Sequence, residues 1–317
     1  MRQLWIFAQL LLAAPGVLAA APGTQAQTGP QAMRAQTAPP IRVNVRLVNV
    51  FVNVTDANGA PVGGLTQQDF ALCEDGNAQK IAYFERDTDV PLSIVLAIDT
   101  SGSVRKDIPV EKAAARDFVH SMLRTGDRLD LMDFNSDVRE VVPFTTNLRR
   151  IDAGLDDLDF GPATALYNAI YLASESLAPH HGRKVLVLIS DGGNTKDGYD
   201  YPQALEAARR GEVMVYSIID LPILADAGRD TEGEHAMITM SQETGGKYYY
   251  ANAGDLKEAF QKVSEDLRTQ YLLGYYPDSK RRSSQFRSIS VTLTHPTQTD
   301  GPYTVQNRTG YYPDAAQ

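Results

Sequence analysis

Two hydrophobic patterns divide this chain. Near its ends apolar and polar residues alternate; between about Pro91 and Gln270 short apolar runs alternate with segments of helical spacing. In residues 42–55, Val43, Val45 and Leu47 share one phase, with Arg42, Asn44 and Arg46 opposite. From Val48 the apolar set moves to Val48, Val50, Val52 and Val54, leaving Asn49, Phe51 and Asn53 on the other face. Period-two alternation predicts a strand with one buried face. The phase change at Leu47-Val48 calls for a bulge, or for two shorter strands. Asn58-Gly59 and Asp75-Gly76 predict turns, and residues 70–74 and 79–84 continue a small antiparallel unit. Residues 286–294, 303–307 and 310–312 alternate again without intervening helices. They are expected to return to that unit, giving a small antiparallel β-sandwich-like module built from N- and C-terminal segments.

The central region reads differently. Residues 92–98, 184–189 and 213–219 are short, β-branched apolar runs, as expected of strands buried on both faces. Residues 128–134 and 138–142 form a hairpin about Asn135-Ser136, and 247–250 a last short strand. Helical spacing covers 109–123, 147–158, 165–177, 201–210, 237–244 and 255–270, with Pro109 suited to a first turn. Strands alternating with helices predict an α/β domain with a mainly parallel central sheet and helices on both faces. The expected organisation is a β-module part at 41–88, the α/β domain at 89–270 and completing strands at 271–314.

The first residues stand apart from this pattern. Arg2, the apolar stretch 4–20 and the small residues Ala19, Ala20 and Ala21 predict a secretory signal peptide at 1–21. The stretch is short and broken by Pro15-Gly16, so no stable membrane anchor is expected after cleavage. Residues 22–40, rich in Ala, Gln, Thr and Pro, read as a disordered linker. The protein is therefore expected to be exported, to the periplasm, the cell surface or the medium. A net charge of −9 argues against nucleic acid as a partner. Cys73 is the single cysteine, which rules out an intrachain disulfide.

Candidate chemistry sits where the apolar run 92–98 stops. Asp99, Thr100, Ser101, Gly102 and Ser103 place a carboxylate and three hydroxyls at the carboxyl end of a buried strand, where open parallel sheets bind ligands. Oxygen donors of this kind suit a hard cation such as Mg2+. The same residues also suit caps and turns. Two further loops lie at the same predicted sheet edge: GPAT at 161–164, with Thr164, and SDGG at 190–193, with Asp191.

With these three segments, DTSGS, GPATALYNAI and LISDGG, the chain resembles the von Willebrand factor type A domain family. Its flanks, VNVTDANGAPVGGLTQQDF and YLLGYYPDSKRRSSQFRSISV, are similar to the bacterial group of von Willebrand factor A-related acidobacterial-type proteins. The resemblance covers about residues 91–266. It implies a Rossmann-like domain and a metal-ion-dependent adhesion site. Ser101 and Ser103 would bind a divalent cation directly, and Thr164 directly or through water. Asp99 and Asp191 would act largely through water and balance charge. Mg2+ is the expected ion, with Mn2+ and Ca2+ as alternatives. An open coordination position would accept a carboxylate from a protein or surface polymer. Thr100, Gly102, Gly161, Gly192 and Gly193 would shape the loops, and Asp130, Asp133 and Asp220 are given ordinary strand-edge or surface roles, although Asp220 could line the same edge.

The rival classes are an enzyme and a metal-independent scaffold of an envelope assembly. An aspartyl-phosphate enzyme would place a second Asp two residues after Asp99, where this chain has Ser101. No GxSxG, HExxH or Walker A pattern occurs, and His120, His180 and His181 lack zinc-ligand spacing. A hydrolase assembled from distant residues is the weakest alternative. The expected function is a non-enzymatic, cation-dependent binding module.

Overall fold

A computed structural model describes residues 47–86, 89–102, 108–220, 231–252, 254–277, 284–294 and 302–314, all within one compact unit, Val43–Gln317. The expected signal peptide, linker and strand residues 42–46 lie outside the described residues, as do Ser103 and the basic residues Lys280, Arg281 and Arg282. Among the described residues no helix is long and apolar enough to cross a membrane.

In chain order the first strands are β1 (Val48–Thr55), β2 (Phe70–Glu74), β3 (Asn77–Gln79) and β4 (Ile81–Arg86). β1 begins at Val48, on the far side of the phase change; residues 42–46, on which the expected bulge or second strand depends, lie outside the described residues. The α/β region follows as β5 (Leu92–Asp99), α1 (Ile108–Met122), β6 (Arg128–Phe134), β7 (Val138–Thr145), α2 (Leu148–Asp156) and α3 (Leu166–Leu177). It continues with β8 (Arg183–Ser190), α4 (Tyr201–Gly211), β9 (Val213–Asp220), α5 (Thr231–Thr244), β10 (Tyr248–Ala251) and α6 (Leu256–Arg268). The chain ends in β11 (Tyr271–Tyr275), β12 (Arg287–Leu293), β13 (Thr304–Asn307) and β14 (Gly310–Tyr311).

The central sheet has the order β10-β9-β8-β5-β6-β7, parallel except for the β6–β7 hairpin. Residues of β5 alternate between two cores. Ile94, Leu96 and Ile98 face α1, α2 and α6, whereas Val95 and Ala97 face α3, α4 and α5. Both faces are covered, which is why the strand reads as one apolar run without alternation.

The terminal strands form two four-stranded sheets, β13-β1-β11-β4 and β14-β12-β2-β3. Antiparallel pairing sets Val50 opposite Leu273 and Val291 opposite Leu72, so N- and C-terminal segments share one core. Asp75 and Gly76 both adopt positive φ, as the tight β2–β3 turn requires. The polar phase of β1 is not solvated: Asn53 is buried and its Nδ2 donates to the Tyr216 hydroxyl of β9 at 3.0 Å. Phe51 of the same face packs on the α1–α6 core. β1 is covered on both sides because its second face meets the α/β region.

Asp130, assigned above to a strand edge or surface, is buried on β6. Its Oδ2 accepts from Ser176 Oγ at 3.0 Å, and its Oδ1 has no hydrogen-bond partner among the described residues. Burial pushes the carboxyl up to about 7; the Ser176 bond opposes the shift and Glu140 adds to it. Between about pH 4 and pH 7 the folded state holds a proton that the unfolded state releases, so stability falls as pH rises through that window. Asp130→Asn is expected to stabilise the protein by about 2 kcal/mol at pH 8 and hardly at all at pH 4, measured by urea unfolding. Equal stabilities at pH 8 would refute a charged, buried Asp130.

Candidate functional site

The parallel pairing of β5 with β8 puts Ile98 beside Ile189 and brings Asp99 next to Ser190 at the carboxyl edge of the sheet. Asp99 is buried, and both carboxylate oxygens are engaged. Oδ1 accepts the Ser101 amide at 2.9 Å, and Oδ2 accepts the Ser190 hydroxyl at 2.6 Å. Ser190 Oγ in turn accepts the Gly192 amide at 3.1 Å. One buried hydroxyl thus joins the Asp99 loop to the Asp191 loop.

Burial pushes the Asp99 carboxyl up to about 6, and the nearby Asp191 charge pushes the same way. The hydrogen bonds from Ser190 and Ser101 oppose that shift without cancelling it.

Asp191 is half-buried, and its Oδ1 accepts the Gly193 amide at 3.1 Å. A Cβ on Gly193 would stand 3.3 Å from that oxygen and 3.7 Å from Thr164 Oγ1. The two side-chain oxygens therefore lie on the same side of Gly193. Thr164 itself is buried at the start of α3. Its amide donates to Thr195 Oγ1 at 2.9 Å, and its carbonyl accepts the amides of Thr195 and Lys196 at 2.9 and 3.1 Å.

A second set of bonds holds the other side of the edge. Thr100 donates its amide to Phe134 O at 2.9 Å, and its carbonyl accepts the Gly161 amide at 3.3 Å. Asn135 Nδ2 donates to Thr100 Oγ1 at 3.1 Å and to Asp159 O at 3.2 Å. Gly161 packs so closely on Asn135 that a Cβ would come within 2.4 Å of Oδ1. Asp133, assigned above to an edge or surface role, is buried: Arg139 Nη2 donates to Oδ2 at 2.6 Å, and the Asp159 amide to the same oxygen at 2.9 Å. The pair fixes the loop before Gly161. Asp220 ends β9 and is also buried.

Of the five predicted residues, Asp99, Ser101, Thr164 and Asp191 lie in loops tied together at one sheet edge; Ser103 lies outside the described residues. Among the described residues no group of three or more His, Cys, Asp and Glu side chains is arranged to hold a metal. The predicted set contains two carboxylates and otherwise hydroxyls, so its chemistry is that of a hard oxygen site. Ser190, Asn135 and Thr195 carry most of the bonds that join these loops, and none was singled out from the sequence. As Ser, Asn and Thr in turns, they look like ordinary turn residues until their partners are known.

Residues 94–194 match the family model of the von Willebrand factor type A domain. An uncharacterized protein of Borreliella burgdorferi is 25% identical over 226 residues, which cover 63% of this chain and 66% of that protein. The match thus spans just under two thirds of that relative's length. An aerotolerance-related membrane protein from Bacteroides fragilis, solved with multiple mutations to serines, is 20% identical with a TM-score of 0.45, covering 56% of this chain and 98% of that one. The vWF domain of a type V pili tip protein from Porphyromonas gingivalis is 13% identical with a TM-score of 0.46, covering 56% and 95%. On the family match and its own α/β sheet, the chain contains a von Willebrand factor type A domain, with the matched segment at residues 94–194.

Proposed function

We propose that the protein is an exported binding module that captures an acidic group of a partner protein or surface polymer through a divalent cation. Asp99, Ser101, Ser103, Thr164 and Asp191 would hold the ion, with Mg2+ the first choice for so oxygen-rich a set. The bound cation would supply an electrophilic centre for a partner carboxylate. The chain's own groups do the rest. Asp99 anchors the Ser101 amide and the Ser190 hydroxyl, which holds the DTSGS loop against β8. The hydroxyls of Ser101 and Thr164 and the carboxylate of Asp191 would supply further oxygens at that edge.

The observation that carries this reading is that the buried Ser190 hydroxyl joins the Asp99 and Asp191 loops at one sheet edge, where Asp191 and Thr164 oxygens lie on the same side of Gly193. Burial raises the Asp99 carboxyl, the Asp191 charge adds a smaller push, and a bound cation would favour the charged form. The division into a β module at 41–88 and 271–314 and a binding domain at 89–270 belongs to the same proposal. The module would hold the binding domain by its N- and C-terminal ends.

The test is calorimetric titration of Mg2+ and Mn2+ into chelator-treated protein. One-site binding is expected in the parent and is expected to vanish in Ser101→Ala and in Asp191→Ala, both still folded by circular dichroism. Binding that survives both substitutions, or no binding in the parent, overturns the proposal. A partner captured equally with and without chelator would favour the metal-independent scaffold.

A further inference from the structure

Helix α3 begins without a cap of its own. Its N-cap residue is Ala165, whose side chain offers no acceptor for the free amides of the first turn. The loop after Asp191 supplies one acceptor to that first turn and another to the amide of the residue just before the N-cap. Asn194 Oδ1 accepts the Tyr167 amide at 3.4 Å, and Thr195 Oγ1 accepts the Thr164 amide at 2.9 Å. The bonding is reciprocal, because the Thr195 amide returns to Thr164 O at 2.9 Å and Lys196 N joins it at 3.1 Å. One turn further along, Asn168 Oδ1 accepts the Tyr199 amide at 2.8 Å. The loop 194–199 therefore straps the start of α3 at successive points.

Thr195 is exposed, so core packing does not explain its place. What it contributes is one acceptor and one donor, both spent on the backbone of Thr164. We infer that Thr195 is a positioning residue: it locks the Thr164 backbone to the Asp191 loop, so that the oxygens of Thr164 and Asp191 keep a fixed separation. The inference rests on the cation-binding reading above and deepens it. It gives the site its own rigid frame, in which two candidate ligands sit on loops held by a neighbour of each. Residues behind the ligands commonly control metal affinity by a factor of about 10 to 100.

Thr195→Val keeps the shape and the backbone amide but removes the hydroxyl acceptor; Thr195→Ser keeps the hydroxyl. Two readouts separate positioning from plain stability. The first is calorimetric Mg2+ and Mn2+ affinity. The second is amide hydrogen exchange across residues 164–167 in the metal-free protein. Thr195→Val is expected to weaken cation affinity about tenfold and to speed exchange at the Thr164 amide by a similar factor. Its melting temperature should stay within a few degrees of the parent's. Thr195→Ser is expected to bind within about twofold of the parent. Faster exchange in Thr195→Val with unchanged affinity, in a parent that binds the cation, overturns the positioning role alone. A serine variant as weak as valine overturns it too. A parent that binds neither cation brings down the underlying reading, and this role with it.

Discussion

Gly233→Ala is expected to destabilise the protein by roughly 3 kcal/mol or more and to disturb the Asp191 loop with it. Gly233 lies in the first turn of α5, and an added Cβ would stand 1.5 Å from the carbonyl oxygen of Gly192 and 2.6 Å from its carbonyl carbon. Both neighbours are backbone, so no side-chain rotation relieves the overlap. Gly192 meets the same surface from the other side. Its φ is +93°, and a Cβ there would come within 2.7 Å of the Glu234 amide nitrogen. Helix α5 and the loop after β8 thus touch main chain to main chain, which only a pair of glycines allows. Separating them moves the loop that carries Asp191. Urea unfolding measures the stability, and cation titration of the folded variant measures the loop. An unfolding midpoint equal to the parent's would mean that α5 does not rest on Gly192.

The same contact shows where the sequence was silent. Periodicity placed this helix at 237–244, whereas α5 begins at Thr231. The extra turns, TEGEHA, carry no apolar stripe because they pack through glycine backbone and a buried Glu234. By contrast, β5, β8 and β9 were legible as apolar runs because both faces of their sheet are covered. Asp99 and Asp191 were legible for a related reason: each is an abrupt carboxylate after such a run. Thr164 was nominated by resemblance, since a threonine before a helix carries no signal of its own. The bonds that hold these residues in place were not legible. Ser190 reaches Asp99 across 91 positions and Asn135 reaches Thr100 across 35. Pairings of that kind follow from the order of strands in the sheet, not from local pattern. The polar face of β1 misled in the same way: Asn53 reads as solvated until β9 brings Tyr216 against it.

In the β module the largest effect is expected at Glu74. This carboxylate is buried on β2, with Arg287 of β12 donating to Oε1 at 2.8 Å. The Tyr275 hydroxyl donates to Oε2 at 2.6 Å and that of Tyr311 to the same oxygen at 3.1 Å. Tyr275 belongs to the β1 sheet, whereas Glu74, Arg287 and Tyr311 belong to the β2 sheet, so one carboxylate ties the two sheets together. Both phenols remain donors: burial, reinforced by Glu74, pushes Tyr311 up to about 12 and raises Tyr275 further. Glu74→Ala leaves a buried guanidinium and two buried hydroxyls without their shared acceptor. It is expected to cost about 3–5 kcal/mol in urea unfolding at pH 7. Glu74→Leu combined with Arg287→Met removes both charges and fills the space with apolar groups. The double variant is expected to recover most of the loss, because the desolvation of the ion pair disappears along with its attraction. A cycle through the two single variants should therefore give a coupling of about 2 kcal/mol. A loss below about 1 kcal/mol in Glu74→Ala would show that the two sheets hold together without this carboxylate. Such a result would leave the register of Val50 with Leu273 and of Val291 with Leu72, and the apolar core those strands share, as what joins the chain's N- and C-terminal segments.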